Sequence, residues 1–591
     1  MKRWTVGLSL VAALFAAAAL AQKADKADSD VMLRAMRDEL HRAMGLRLEN
    51  LDAPYFISYQ MEDAEFFTGT AVMGALVSSN HSRVRIPRVQ VRVGNYDFDN
   101  TNYVASGFMP GSRYDVERFP LDDDYLLLRR FLWLSTDQTF KAAVEAISRK
   151  RAALKNVSAS DAPLPDFARA EPNRVILDVV KTAFDEAPWL ARVRALSAEF
   201  VRYPEVVASS VEYSANRTTQ YLVTSEETEV RLPDNFMQVR ARAGGLAPDG
   251  MRLRDTVAFF SLELGRLPKE SDMAREIEHL AENITALSKA PVGEAYSGPI
   301  LFEGIAGAQI MSELIGRNLA LSRKPVTEPG RPGGFPASEL EGRQGARILP
   351  EWLDVIDDPT QTEWHGRPLL GHYRVDEEGV NAKPLTLVEK GILKNYLLTR
   401  QPMRGYSASN GRARLPANFG ADEAVASNLF VRAKKTASLP KLKKKMLDLC
   451  KARGRPYGII VRKMDFPSSA AIDEARRLLA ANQGGGRPVS LPILVYRLYP
   501  DGREELVRGL HFKGLNARSL KDIVAASDES SVFEFLENGA PFALIGASSY
   551  VAQSAVVAPS LLIDDLELAR SEEEFPRPPV VPRPPAVTAA K

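Results

Sequence analysis

The stretch PILFEGIAGAQIMSELIGRNL, residues 299–319, runs from an apolar, strand-like PILF through a lone acid, Glu303, into small residues and a helix. Strand and helix signals alternate on either side of it. Just upstream, PKESDMAREIEHLAENITALSKAP (residues 268–291) sets Met273, Ile277, Leu280, Ile284 and Leu287 on one helix face, with Ser271 placed to cap it. His279 lies beside that stripe and reads as a surface or boundary residue. Earlier, VMLRAMRDELHRAMG (31–45) has helical spacing through Met32, Met36, Leu40 and Met44 and stops at Gly45. Residues 54–103 alternate apolar and polar positions, notably Val89, Val91 and Val93, as a sheet covered on one face requires. A helical insertion follows, with Phe140, Val144 and Ile147 on one face, behind an acidic and aromatic segment at 113–134. Residues 209–232 read as paired strands around Asn216. Downstream of the opening stretch, 353–402 holds many short strands with close-spaced turn residues, so the second half is β-rich.

The chain has 591 residues, 45% hydrophobic and 26% charged, an ordinary globular composition with material for more than one core. Lys2 and Arg3, the apolar run that follows and the small-x-small Ala19-Leu20-Ala21 read as a secretory signal, with the mature protein starting near Gln22. That implies export to the periplasm or the exterior, with no membrane span after cleavage. Of 77 basic residues, two leave with the leader, so 75 face 75 acids and the mature net charge is zero. With no global field and no basic face interleaved with aromatics, nucleic acid is not expected as a partner. The single Cys450 excludes an internal disulfide and any Cys-pair zinc motif. It falls with Leu442, Met446 and Leu449 on the apolar stripe of a basic helix, which reads as a buried structural thiol. The Gly/Pro-rich stretch 327–348 reads as a mobile crossing and 571–591 as an extended proline-rich tail.

Three pieces, in order, resemble the TldD/PmbA family of zinc-dependent peptidases, once called modulators of DNA gyrase. The first is the opening stretch, preceded by APVGEAYSGPILF. The second is residues 354–414, with an acidic turn, a D-x-E-G hairpin at Asp376 and a V-E-x-G-x-L strand at Val388. The third is RGLHFKGLNARSLKDIVAASD followed by APSLLIDDLEL. The resemblance implies an α+β protein of two domains with a β-rich, barrel-like second half; combined with the residue readings above, it divides the chain into a signal peptide at 1–21, an N-terminal sheet-plus-helices domain at 22–295 with a helical insertion near 110–200, the barrel-like domain at 296–570 and the tail at 571–591. It also implies a subunit pair, in which TldD-type chains carry the metal and PmbA-type chains do not.

Catalytic members of that family carry His-Glu-x-x-x-His at the opening stretch and a Cys near the C-terminus. Two imidazoles and a thiolate hold zinc, and the Glu is general base to the bound water. The matching positions here are Phe302, Glu303 and Gly307. No His occurs between His279 and His365, and no Cys lies near Ile545 and Gly546. No zinc or other cofactor is therefore expected, since catalytic zinc takes three protein donors. Glu303 reads as a first-turn charge favoured by the helix dipole, or as a relic of the general base. An alternative metal site could draw on His365 and His372 with Asp358, near Asp357, Glu363 and Asp376, although a spacing of seven puts the two imidazoles on opposite faces of any single strand. The expected role is a non-catalytic, PmbA-like subunit or peptide-binding module in the cell envelope, homo- or hetero-oligomeric with a relative and taking an extended peptide. The alternative is an active exported metallopeptidase that cleaves unfolded peptides through non-standard ligands, gated by the loop around Gly333 and Gly334. A further reading makes the tail and the acidic, aromatic insertion docking surfaces.

Overall fold

The computed structural model describes residues 29–104, 112–114, 119–155, 164–179, 185–263, 266–327, 338–416, 422–465, 489–538 and 551–571. Residues 1–21, read above as a signal sequence, the Gly333 loop, Ile545, Gly546 and residues 572–591 of the proline-rich tail lie outside the described residues.

Each half is organised by one mixed sheet. In the first, four long strands run antiparallel in the order Ala75–Val93, Pro54–Val72, Val206–Thr224, Glu229–Leu246, and Arg252–Ser261 and the short Arg174–Ile176 both pair with the last of them. Asn216 does not mark a turn between strands. It sits mid-strand between Phe66 and Phe236, and the reversal comes at residues 225–228, where Glu227 takes a φ of 63°. Alternation alone located the strands, but the acid and hydroxyl residues at 225–228 fix the turn, because Thr224 Oγ1 accepts from the Glu226 and Thr228 amides.

The helices cover this sheet where the periodicity put their apolar stripes. Val31–Ala43 buries Met32, Met36 and Leu40, and its Asp30 side chain accepts from the Leu33 amide. Tyr125–Leu154 buries Phe140, Val144 and Ile147 and leaves Leu126 and Trp133 exposed. Glu270–Lys289 buries all five stripe residues, but Ser271 is not its cap: the N-cap is Lys269, two residues earlier, with Glu270 and Asp272 in the first turn to meet the dipole. The sheet is not covered on one side alone. Along 85–93 both faces are buried, with Val89, Val91 and Val93 under helices and Arg88, Gln90 and Arg92 on the opposite face.

The second sheet is built on Val551–Arg570. That strand pairs parallel with Asn428–Ala433 and antiparallel with Tyr296–Phe302, Ile523–Asn538 and Leu510–Lys513. Beyond Tyr296–Phe302 the order continues through Gly458–Met464, Pro492–Leu498 and Glu504–Val507. Beyond Asn428–Ala433 it continues through Leu353–Asp357, Leu385–Glu389 and Ile392–Leu393. Among the described residues the path has two ends, so the β-rich half is an open sheet and not a closed barrel. Helix Leu439–Ala452 packs Leu442, Met446 and Cys450 on it. Burial raises the Cys450 thiol, against a weaker lowering contact from the Tyr296 hydroxyl, in keeping with a structural residue. Among the described residues no helix is long and apolar enough to cross a membrane.

Candidate functional site

Strand Tyr296–Phe302 lies between Gly458–Met464 and Val551–Arg570, so the residues that follow it are pinned from both sides: the Glu303 amide donates to Val461 O at 2.9 Å and the Gly304 amide to Ser560 Oγ at 2.9 Å. Gly304, at φ 64°, turns the chain into helix Ile305–Met311. At the two positions that match imidazoles the interior is filled. Phe302 is fully buried and stacks on Phe512 with ring centroids 5.7 Å apart. Gly307 lies so close to the neighbouring strand that a Cβ there would stand 2.3 Å from Pro559 O.

Glu303 sits between two cations. Arg462 Nε donates to its Oε1 at 3.0 Å and Lys443 Nζ stands 3.1 Å from its Oε2. The same two cations reach Glu504, at 2.7 and 2.9 Å, closing a ring of two acids and two bases. Burial alone would raise the Glu504 carboxyl, but the Lys443 hydrogen bond and the Arg462 charge outweigh it and hold the group below its ordinary value.

The histidines are not gathered. His365 and Gly366, both at positive φ, form the exposed two-residue turn between Glu363–Trp364 and Arg367–Pro368, and His372 directs Nδ1 at Pro359 O, 2.8 Å away. Asp358 accepts from Thr360 N and Oγ1 at 3.0 and 2.6 Å, a local turn. Among the described residues no three His, Cys, Asp or Glu side chains are placed to hold a metal ion. Asp357 is bound to Arg412 Nε at 2.5 Å, and its oxygens accept from Ser427 N and Oγ at 2.7 and 2.8 Å, with the Asp357 and Arg412 side chains both fully buried.

A second constellation lies where the first sheet meets the β-rich half. Glu62 and Asp234 from the first sheet and Glu377 from the Asp376 hairpin line a cavity of about 160 Å3, with Arg88, Arg414 and Asn216 in its wall. The cations are engaged: Arg88 pairs with Asp422 and donates to Gln60 Oε1 at 3.1 Å, and Arg414 donates to Gln553 O at 2.6 Å and lies over the Tyr373 ring. Burial, reinforced by the Asp234 charge, raises Glu62 to about 7, and burial lifts Asp234 to about 6. Glu377 rises to about 8 through burial and the charges of Glu62 and Asp422. Asp376 is pushed up to about 7 by burial even though it accepts three backbone N–H bonds, from Glu378, Val380 and Ala413. The sequence reading missed this cavity because its carboxylates stand far apart along the chain. The available signal was the acid triple 376–378 together with Glu62 on the Gln60–Phe66 face of a strand.

Residues 296–464 match the PmbA/TldA metallopeptidase C-terminal domain. A metalloprotease of Archaeoglobus fulgidus is 35% identical over 78 residues, 13% of this chain and 17% of the relative, and one of Methanocaldococcus jannaschii is 37% identical over 79 residues, 13% of this chain and 16% of the relative. The matched stretch thus spans about a sixth of these curated relatives. The likeness of the whole chain is one of fold. A Thermotoga maritima protein described as a modulator of a DNA gyrase superposes with a TM-score of 0.55 at 13% identity, covering 87% of this chain and 96% of that chain. TldE of Thermococcus kodakarensis gives 0.54 at 11% identity, covering 91% and 100%.

Proposed function

We propose that this TldD/PmbA-family, metallopeptidase-like protein works without a catalytic zinc, as a non-catalytic subunit or peptide-binding module of the cell envelope. The observation that carries the reading is the closed packing at Gly307, where the Pro559 carbonyl occupies the space a ligand side chain would enter. Phe302 stacked on Phe512 and Glu303 held by Arg462 and Lys443 add to it: the three positions supply one carboxylate, already engaged, where a catalytic zinc takes three protein donors and an open place for water. The residues present do not fit the ion. The leader-like first 21 residues support export, and the fold shared with TldE supports pairing with a relative.

The test is metal analysis of the purified mature protein, with hydrolysis of unfolded peptides measured for the chain alone and mixed with a relative that carries His-Glu-x-x-x-His. The expected result is less than stoichiometric zinc and no chelator-sensitive hydrolysis by the lone chain. Stoichiometric zinc bound to this polypeptide would sink the reading.

A further inference from the structure

We propose that the cavity between the two halves is a recognition pocket for an alkylammonium group, gripped by Glu62, Asp234 and Glu377 with Asn216 Oδ1 as a neutral acceptor. The proposal stands whether or not the metal reading holds. Its first ground is an imbalance of donors and acceptors. The Glu62 and Glu377 carboxylates line the cavity with no hydrogen bond or ion pair from the protein among the described residues, and Asn216 Oδ1 is buried with no partner. Asp234 has one neutral donor, Gln220 Nε2 at 3.1 Å. Asn216 Oδ1 is a buried acceptor, and the half-buried carboxylates of Glu62, Asp234 and Glu377 open into the same cavity, so its wall presents acceptors to whatever occupies it.

The nearby cations hold other partners: Arg88, in the cavity wall, pairs with Asp422 and donates to Gln60, and Arg414 donates to Gln553, while the Arg88 charge lowers Glu62 and Glu377 without offsetting their burial. The other titratable groups are occupied as well: His372 with Pro359 O, Tyr373 Oη with Gly411 O at 2.6 Å, and Asp376 with three amides. Tyr221 is pushed up by burial and stays a neutral phenol.

Size and geometry then select the ligand. A volume of about 160 Å3 far exceeds the ~30 Å3 share of one water and falls short of the ~300 Å3 at which pockets for whole drug-sized ligands begin. One side chain or one short alkyl amine suits it. A divalent metal needs its oxygens converged on one point at about 2.0–2.6 Å, and these carboxylates are not so placed. An ammonium group has three N–H donors that reach separate acceptors at about 2.7–2.9 Å each. The raised carboxyls agree with this: like charges crowd a partly dehydrated space, and a cation would relieve them.

The test is titration calorimetry on the full mature chain near pH 7.5, with Nα-acetyl-lysine methylamide, 1,4-diaminobutane, Nα-acetyl-norleucine methylamide and calcium chloride as probes. The expected result is saturable binding of at least one amine and none of the norleucine analogue. Binding of the lysine probe would identify a peptide side chain as the source, and binding of the diamine alone a free amine. Because Glu377 and Glu62 are partly protonated at that pH, binding should release protons, read as a dependence of the heat on the buffer's ionisation enthalpy. Glu377→Gln and Glu62→Gln should each weaken the amine about tenfold or more, as loss of a charge-assisted hydrogen bond does. Should either variant fail to fold, the norleucine comparison and the proton count on the unaltered chain decide. Absence of amine binding, equal binding of norleucine, undiminished binding in both folded variants, or saturation by calcium instead would each overturn the proposal.

Discussion

At Gly307 the distance from a would-be Cβ to Pro559 O, 2.3 Å, leaves no rotamer through which a larger side chain could escape, because the obstruction is backbone of the central strand. Introducing imidazoles with Phe302→His and Gly307→His should therefore destabilise the fold by about 3 kcal/mol or more, through the lost Phe302–Phe512 stack and the forced strand movement. Chemical denaturation measures this, and equilibrium dialysis of the folded fraction against zinc should give less than stoichiometric binding. At Glu303 the side chain completes a ring with Arg462, Lys443 and Glu504 that is about one-sixth to one-third exposed, so Glu303→Gln should cost only about 1 kcal/mol after solvent screening. The low Glu504 carboxyl sets the sign of its pH dependence. A folded value below the unfolded one adds stability that is present above the ordinary value of 4.5 and lost as pH falls through the depressed one.

Among the elements, the acidic turn after Leu353–Asp357 and the segment that carries Arg412 are joined by one ion pair with both side chains fully buried. Arg412 Nη2 also donates to Lys383 O at 2.7 Å and Nη1 to Asn410 O at 2.7 Å, so the guanidinium ties two loop segments to the sheet. Removing one partner of such a pair strands the other charge, and Asp357→Asn should cost about 3–5 kcal/mol, measured by urea unfolding. Replacing both by apolar residues of similar volume should cost markedly less, which distinguishes the desolvation effect from simple loss of contact. In the sequence Asp357 was visible only as one of several acids near two histidines. Its role depends on an arginine 55 positions away, a separation that no helical or strand period links.

Across the whole molecule, ion pairs join the two halves: Lys463 to Asp255 at 2.6 Å, Arg254 to Asp465 at 2.8 Å, Arg508 to Asp249 at 2.8 Å, Arg400 to Glu226 at 2.6 Å, and Arg88 to Asp422. The acid-lined cavity lies within this contact and opposes it. Glu62, Asp234 and Glu377 have folded values above their ordinary ones, so the folded state holds more protons than the unfolded chain across that interval. Their contribution to stability is then fully present only below their ordinary values of 3.8 to 4.5 and is lost as pH rises through about 6 to 8. The melting temperature should accordingly fall between pH 5.5 and pH 8.5. Glu377→Gln should flatten the fall, being close to neutral in effect at the acid end and stabilising at the alkaline end.

The sequence alone determined the elements whose burial repeats with a local period: the Met32–Leu40 stripe, the five apolar positions from Met273 to Leu287, the Val89–Val93 alternation and the Cys450 stripe. Each is dictated by side chains three, four or two residues apart, and the ordered family motifs added the α+β class. Only the tertiary structure decided that Asn216 is mid-strand, that the second sheet stays open, that Gly307 is jammed against Pro559 and that Glu62, Asp234 and Glu377 face one cavity. Those facts depend on contacts between residues tens to hundreds of positions apart. What forms them is the pairing of distant strands within each sheet and the meeting of the two halves, and neither leaves a period in the chain.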